Sequence, residues 1–313
     1  MRIIDWHCDT ILGMYERKES IYSNSLSIDI NKLKEGNVFG QFFALYINLK
    51  DHQDPFLFCN ELLDLFQDEV KKNDEYLEHV KNYDEMVNAN DKGKIAAILT
   101  IEDGGAVFGK MENLNHFYDR GVRLITLTWN YENEIGYPNL CTRDGIKNDG
   151  LKPFGEEVVL AMNELGMIID VSHLSDEGFY KVASLSKYPF VASHSNARAV
   201  AGHSRNLTDD MIKTLSEKGG VMGLNFAAPF LGSDETSKVS NMILHLKHIY
   251  NVGGIDVMAL GSDFDGIDRK LEIDNAGEWY KLIDQIKKAG FKESEIDKIT
   301  YENSVRVIKD SMK

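Results

Sequence analysis

Short apolar runs recur along this chain, most of them followed by a segment of helical spacing, and that alternation limits the fold more than any other feature. The runs fall at Arg2–Thr10, Val38–Ile47, Lys94–Ile101, Val122–Thr128, Met167–Val171, Pro189–Ser193, Gly220–Asn225 and Val257–Leu260. Between them the spacing predicts one long or two shorter helices over Pro55–Val87, then helices at Met111–Arg120, Pro153–Leu165, Thr208–Lys218 and Ser237–Asn251. Another starts at Ser175-Asp176-Glu177, and three helical segments close the chain. Residues 11–36 read as polar and mixed, and residues 129–152 as a long irregular loop. Strands that alternate with helices in this way specify a parallel sheet, here closed into a (β/α)8 TIM barrel. The expectation is a single domain, residues 1–313, with its active site at the C-terminal ends of the strands. An open doubly wound sheet is the rival, but no Gly-x-Gly-x-x-Gly follows any strand.

The strand ends carry the chemistry. The first run, RIIDWHCDT, ends in His7 and Asp9, which share strand parity, while Trp6 and Cys8 point the other way into packing. Glu102 ends the third strand, His173 the fifth, His194 the sixth and Asp263 the eighth. In a barrel these ends converge on one face. A single histidine there is more often a structural one bonded to backbone. Three histidines with three carboxylates are harder to place in a core, because unsatisfied buried polar groups cost several kcal/mol each. One or two divalent ions, zinc or a similar metal, would satisfy them. Two metals about 3.5–4 Å apart could share one carboxylate and a hydroxide. Glu102 is the expected bridge, since its strand lies between those bearing His7/Asp9 and His173/His194.

Charge and composition narrow the partners. A net charge of −15 argues against a nucleic-acid backbone or an anionic membrane, both of which need a basic surface. The three cysteines, Cys8, Cys59 and Cys141, are widely spaced and form no disulfide framework or CxxC motif. No signal-peptide pattern and no apolar run long enough to span a membrane is present, so the cytoplasm is the expected compartment. The oligomeric state is left open, a homodimer included.

The segments WHCDT, TIEDG, DGLKPFGEEVVLAMNELGMIIDVSHLSD, SHSNARAV, RNLTDDM and LGSDFDG resemble, in matching order over nearly the whole chain, the membrane (renal-type) dipeptidase family, the M19 metallopeptidases among the amidohydrolase-like barrels. The resemblance implies a binuclear zinc dipeptidase, with two Zn2+ per chain, that cleaves dipeptides including those with a C-terminal D-residue. It implies His7 and Asp9 on one metal, His173 and His194 on the other, and Glu102 between them. Asp263 would be the catalytic proton carrier. Arg205 would hold the dipeptide carboxylate, a task suited to a planar guanidinium; from sequence alone it reads as a surface arginine.

The chain departs from the family where Leu-Thr-His is expected: it reads Leu-Thr-Trp, with Trp129 at the substrate-binding histidine's place. An indole donates one hydrogen bond and carries no proton charge. Asn130 or Tyr131 is a candidate replacement donor. The departure keeps two alternatives open: a metal-dependent hydrolase of another amide, a lactam or a phosphoester, and a metal-binding barrel with little turnover. Asp265 shares parity with Asp263, and Asp263 is preferred for its place at the strand end. Asp103 reads as a loop or cap residue, Asp5 as a partner standing behind a ligand. His203 reads as a loop histidine, and His52, His79, His116, His245 and His248 as surface residues.

Overall fold

The computed structural model describes residues 1–139, 150–232, 235–268 and 270–313. Among the described residues nine strands form one parallel sheet: β1 (Ile3–Asp5), β2 (Val38–Tyr46), β3 (Leu77–His79), β4 (Ile95–Glu102), β5 (Val122–Thr126), β6 (Ile168–Asp170), β7 (Val191–Ala192), β8 (Val221–Leu224) and β9 (Met258–Leu260). Pairing runs β1-β2-β4-β5-β6-β7-β8-β9, and Asp5 of β1 lies in register with Leu260 of β9. The sheet therefore closes on itself as an eight-stranded (β/α)8 barrel, with helices around it. All eight expected strands are present.

The ninth strand is a correction. The stretch read as one or two helices over Pro55–Val87 is a helix at Pro55–Lys72, then β3, then a helix at Tyr83–Asp91. β3 pairs with Ile95–Ala97 at the start of β4, below the point where β5 joins at Leu99. Three residues are too few for a strand period to emerge, and the flanking charged residues keep a helical look. The polar stretch after the first strand also holds two helices, Thr10–Arg17 and Ile30–Glu35. Within the long loop read over 129–152, residues 140–149, Cys141 among them, lie outside the described residues.

Side chains of alternate parity separate into two apolar layers. Ile4, Phe42, Ile98, Leu124, Ile168, Val191, Val221 and Ala259 fill the barrel interior, and Val307 and Ile308 of the last helix (Asn303–Ser311), with Met312 just after it, join that cluster. Phe43, Leu45, Leu99, Ile101 and Ile125 belong to the shell between strands and helices. Trp6 lies in the inner layer, stacked on Phe42 at 4.2 Å, with its indole N–H donating to Ser304 Oγ at 2.8 Å. The interior is thus a packed core whose top supports the polar residues at the strand ends.

Helix starts are signed in the sequence. Ser175 caps the helix Asp176–Leu185 and Thr208 caps Asp209–Glu217, each accepting a backbone N–H at its third residue. Pro153 opens Pro153–Leu165, which Gly166 ends in the left-handed region at φ 73°. No helix among the described residues is long and apolar enough to cross a membrane.

Candidate metal centre

β1 ends at Asp5, earlier than the run RIIDWHCDT suggested. The chain then turns, with Asp9 N–H bonded to Phe264 O, and Asp9 stands at the start of the helix Thr10–Arg17. His7 and Asp9 still meet, His7 Nε2 to Asp9 Oδ2 at 3.5 Å, but through this turn rather than through strand parity. Glu102, at the end of β4, faces both sides of the site. Its Oε2 lies 3.2 Å from His7 Nε2, and its Oε1 lies 2.9 Å from His173 Nε2 and 3.4 Å from His194 Nε2. The two Nε2 atoms of His173 and His194 are 3.0 Å apart. Asp263 Oδ1 lies 3.9 Å from His7 Nε2. All six residues are buried.

Such a cluster is costly as it stands. Burial disfavours an imidazolium at His7, yet Glu102 and Asp9 beside it outweigh that and push its pKa up. Burial, with Arg205 and His7 nearby, pushes His173 and His194 down. Burial and the neighbouring Asp9 and Asp263 charges drive Glu102 up to about 8 against the pull of His7, and Asp263 is raised by burial and Asp9. Among the described residues, His7 Nε2 and Asp9 Oδ1 have no hydrogen-bond partner. A cation reverses this logic, since it favours ionised carboxylates and neutral imidazoles together. Two triads, His7/Glu102/His194 and His7/Asp9/Asp263, bring their donor atoms within 4.8 Å of one another. The donors present, imidazole nitrogen and carboxylate oxygen, suit zinc or a similar divalent ion.

Neighbouring side chains orient the imidazoles. Asn130 Oδ1 lies 3.1 Å from His173 Nδ1, and Ser193 Oγ lies 2.7 Å from His194 Nδ1. Ser193 donates onward to Asp170 Oδ2 at 2.6 Å. With Nδ1–H donating in both rings, both Nε2 lone pairs face the site. Asp170 also accepts from Ser193 N, Ser172 N and Thr126 Oγ1. Asn225 donates to Asp263 Oδ2 at 2.8 Å. His173 and Asp263 both sit at positive φ, 67° and 64°, a conformation held here by the loops after β6 and β9. Gly266 leaves room for the carboxylates: a Cβ there would come within 2.0 Å of Asp9 Oδ2 and 2.6 Å of Asp263 Oδ1, so one of them would have to move.

Sequence reasoning missed Asp170, Ser193, Asn225 and Gly266. Their only sequence signal is proximity to a strand end. The remaining residues sort as follows. Asp265 accepts from Thr10 Oγ1 at 2.7 Å and Ser27 N at 2.7 Å. Asp103 caps the 3-10 turn Gly104–Val107. Asp5 binds Ser262 and Gln41, not the ring of a ligand. His203 packs on Phe230 with ring centroids 4.7 Å apart. His245, read as a surface residue, is fully buried and accepts from Ala197 N, because the helix Val239–Gly253 turns it inward.

Arg205 is buried as well, not the surface arginine that sequence alone suggested. Its guanidinium donates to Ser195 Oγ and His194 O, its Nε has no partner among the described residues, and its Cζ lies 5.3 Å over the Phe230 ring centroid. A cavity of about 460 Å³ opens above the cluster, lined by Asp9, Glu102, His173 and Asp263 at its floor and by Tyr46, Trp129 and Phe230 on its walls. Arg205 reaches the edge of this cavity through Phe230, a lining residue over whose ring its guanidinium lies.

A family model for the membrane dipeptidases, peptidase family M19, matches residues 1–313. A dipeptidase of Schizosaccharomyces pombe is 32% identical over 289 residues, covering 85% of this chain and 69% of its own length. Among solved structures, the M19 metallopeptidase dipeptidase AC superposes with a TM-score of 0.92 at 24% identity, over 100% of this chain and 99% of its own. A metallopeptidase of Rhodobacter sphaeroides, solved with a phosphinate mimic of the dipeptide L-Ala-D-Ala, gives 0.90 at 24% identity over 99% of each chain. These two share the barrel; the match of the family model to the entire sequence assigns the rest, and the chain belongs to peptidase family M19, the membrane dipeptidases, as a metal-dependent dipeptidase.

Proposed function

We propose that this protein hydrolyses free dipeptides, those with a C-terminal D-residue included, with two zinc ions bound at the strand ends. The observation that carries the two-ion reading is Glu102, whose two oxygens face different imidazoles, His7 on one side and His173 and His194 on the other. His7 and Asp9 would hold one ion, His173 and His194 the other, with Glu102 between. Ions held there supply a deprotonated water and polarise the amide carbonyl.

The chain's own residues do the rest. Asp263, fixed by Asn225 at its other oxygen, accepts the proton of the attacking water and delivers it to the departing amine. Arg205 takes the C-terminal carboxylate; its support is a buried guanidinium that forms no ion pair among the described residues and keeps Nε unpartnered. Trp129 forms one wall of the substrate cavity. The cytoplasm is the working compartment, supported by Cys8 and Cys59 standing as buried free thiols.

The test is metal content together with hydrolysis of L-Ala-D-Ala, L-Ala-L-Ala and an N-acetylated control by zinc-loaded protein, with Asp263→Asn beside it. Two metals per chain, cleavage of the free dipeptides and loss of turnover in both controls are expected. Two bound metals without dipeptide cleavage would transfer the site to another amide, a lactam or a phosphoester.

A further inference from the structure

Trp129 leaves this site without the imidazole that the family pattern places after the fourth strand. An indole has one N–H, aimed by its ring, and cannot shuttle a proton. The neighbouring strand carries another donor. Tyr46 is the last residue of β2 and lies in register with Glu102, the last residue of β4, so both side chains leave the sheet on the same face. Tyr46 accordingly lines the cavity with Asp9, Glu102, His173 and Asp263.

The Tyr46 ring is braced. Trp129 meets it edge to face, with centroids 4.9 Å apart and planes at 77°. Trp129 is itself held between Tyr131 at 5.5 Å and His173 at 6.2 Å. The indole thus acts as a wedge between a ligand ring and the phenol. The Tyr46 hydroxyl has no hydrogen-bond partner among the described residues. Burial, with the Glu102 and Asp9 carboxylates nearby, raises its pKa above that of a free phenol.

We propose that Tyr46 is a catalytic residue of the dipeptidase reaction: its O–H donates a hydrogen bond to the amide oxygen as the carbonyl carbon becomes tetrahedral, in place of the missing imidazole. The phenol keeps its proton, so no further group is needed to balance the step. The proposal rests on the dipeptidase reading above. Removing one preorganised donor to such an oxygen lowers kcat by about 10²–10³-fold in the best-studied cases.

The experiment uses zinc-loaded full-length protein, wild type against Tyr46→Phe, which removes one oxygen and leaves the ring against Trp129. It measures kcat and KM on L-Ala-D-Ala and, by calorimetry, the Kd of a phosphinate dipeptide mimic, whose tetrahedral centre probes the same donor without turnover. Expected are a fall in kcat of about 10²-fold or more with KM changed by less than about threefold, and a matching loss of phosphinate affinity. Adding Trp129→His to Tyr46→Phe restores an imidazole and is expected to recover at least about tenfold. Tyr46→Phe with unchanged kcat, or with raised KM and unchanged phosphinate affinity, overturns the proposal and leaves the dipeptidase reading standing. Wild-type protein that binds metal but cuts no dipeptide overturns both.

Discussion

Two strands of this barrel read Ile-Ile-Asp, β1 and β6, and the site is built on what happens just after each. Asp5 and Asp170 are both fully buried, and each grips a serine at the next strand end by the same pair of bonds. Asp5 accepts from Ser262 N at 2.8 Å and Ser262 Oγ at 2.7 Å; Asp170 accepts from Ser193 N at 2.8 Å and Ser193 Oγ at 2.6 Å. Beyond the serines the two differ. Ser193 passes the bond on to His194 Nδ1, so Asp170 sets which imidazole nitrogen faces the site. Ser262 reaches the backbone carbonyl of His7 at 3.3 Å, so Asp5 fixes a loop and not a ring. The β1 side is rich in carboxylates, with Asp9, Glu102 and Asp263 about His7; the β6 side is rich in imidazole, His173 against His194. The same local device therefore serves ligand orientation in one half and backbone placement in the other.

Four experiments test whether the two halves differ in this way. Glu102 belongs to both halves, so Glu102→Gln has the largest expected effect: metal content by mass spectrometry falls for both sites, and kcat/KM falls beyond the about 10–100-fold typical of residues that only support a ligand. Retention of both metals would show that the halves are independent. Next is Asp170→Asn, expected to cost about 10–100-fold in metal affinity or activity through His194, against a clearly smaller activity loss for Asp5→Asn. Equal losses in the two variants would erase the distinction between them.

Gly266→Ala tests the β1 side alone. Its methyl would enter the space between Asp9 and Asp263, and overpacking of this kind costs about 1–3 kcal/mol. Urea unfolding should report that loss, and kcat should fall with the displaced carboxylates while Trp129 and the His173/His194 pair stay in place. The smallest effect lies outside both halves. Burial lowers the pKa of His79 and of His245 to about 4 from the ordinary 6.5. Between those values the unfolded chain binds protons that the folded one does not, so stability is full above pH 6.5 and is lost as pH falls toward 4. Each group contributes at most about 1.4 kcal/mol per pH unit, and His245→Gln should flatten the acid limb in urea titrations from pH 7 to 5. An unchanged acid limb would move that acid sensitivity to groups other than His245.

Much of the site was legible because barrel logic sends strand ends to one face, so His7, Glu102, His173, His194 and Asp263 could be found from where the apolar runs stop. Asp263 is preferred over Asp265 for its place nearer the strand end and its match to the motif; Asp265 itself accepts from Thr10 and Ser27. β3 was illegible because three residues show no period, and His245 because a histidine on a mixed helix face carries no mark of the side it will turn. Arg205 in isolation looks like any surface arginine; only the approach of His194, Ser195 and Phe230 buries it.

The eight barrel strands, most helix starts and the residue types at the strand ends are local properties, written in hydrophobic period and helix caps, and were legible in the sequence, whereas β3 and the helices of residues 10–35 were not. The two faces of Glu102, the Asp170–Ser193–His194 relay, the space Gly266 leaves between Asp9 and Asp263 and the edge-on contact of Tyr46 with Trp129 join residues as far apart in the chain as Asp9 and Gly266. Such contacts depend on sheet register, and a shift of one residue would turn each side chain to the opposite face. Closing the barrel decided them.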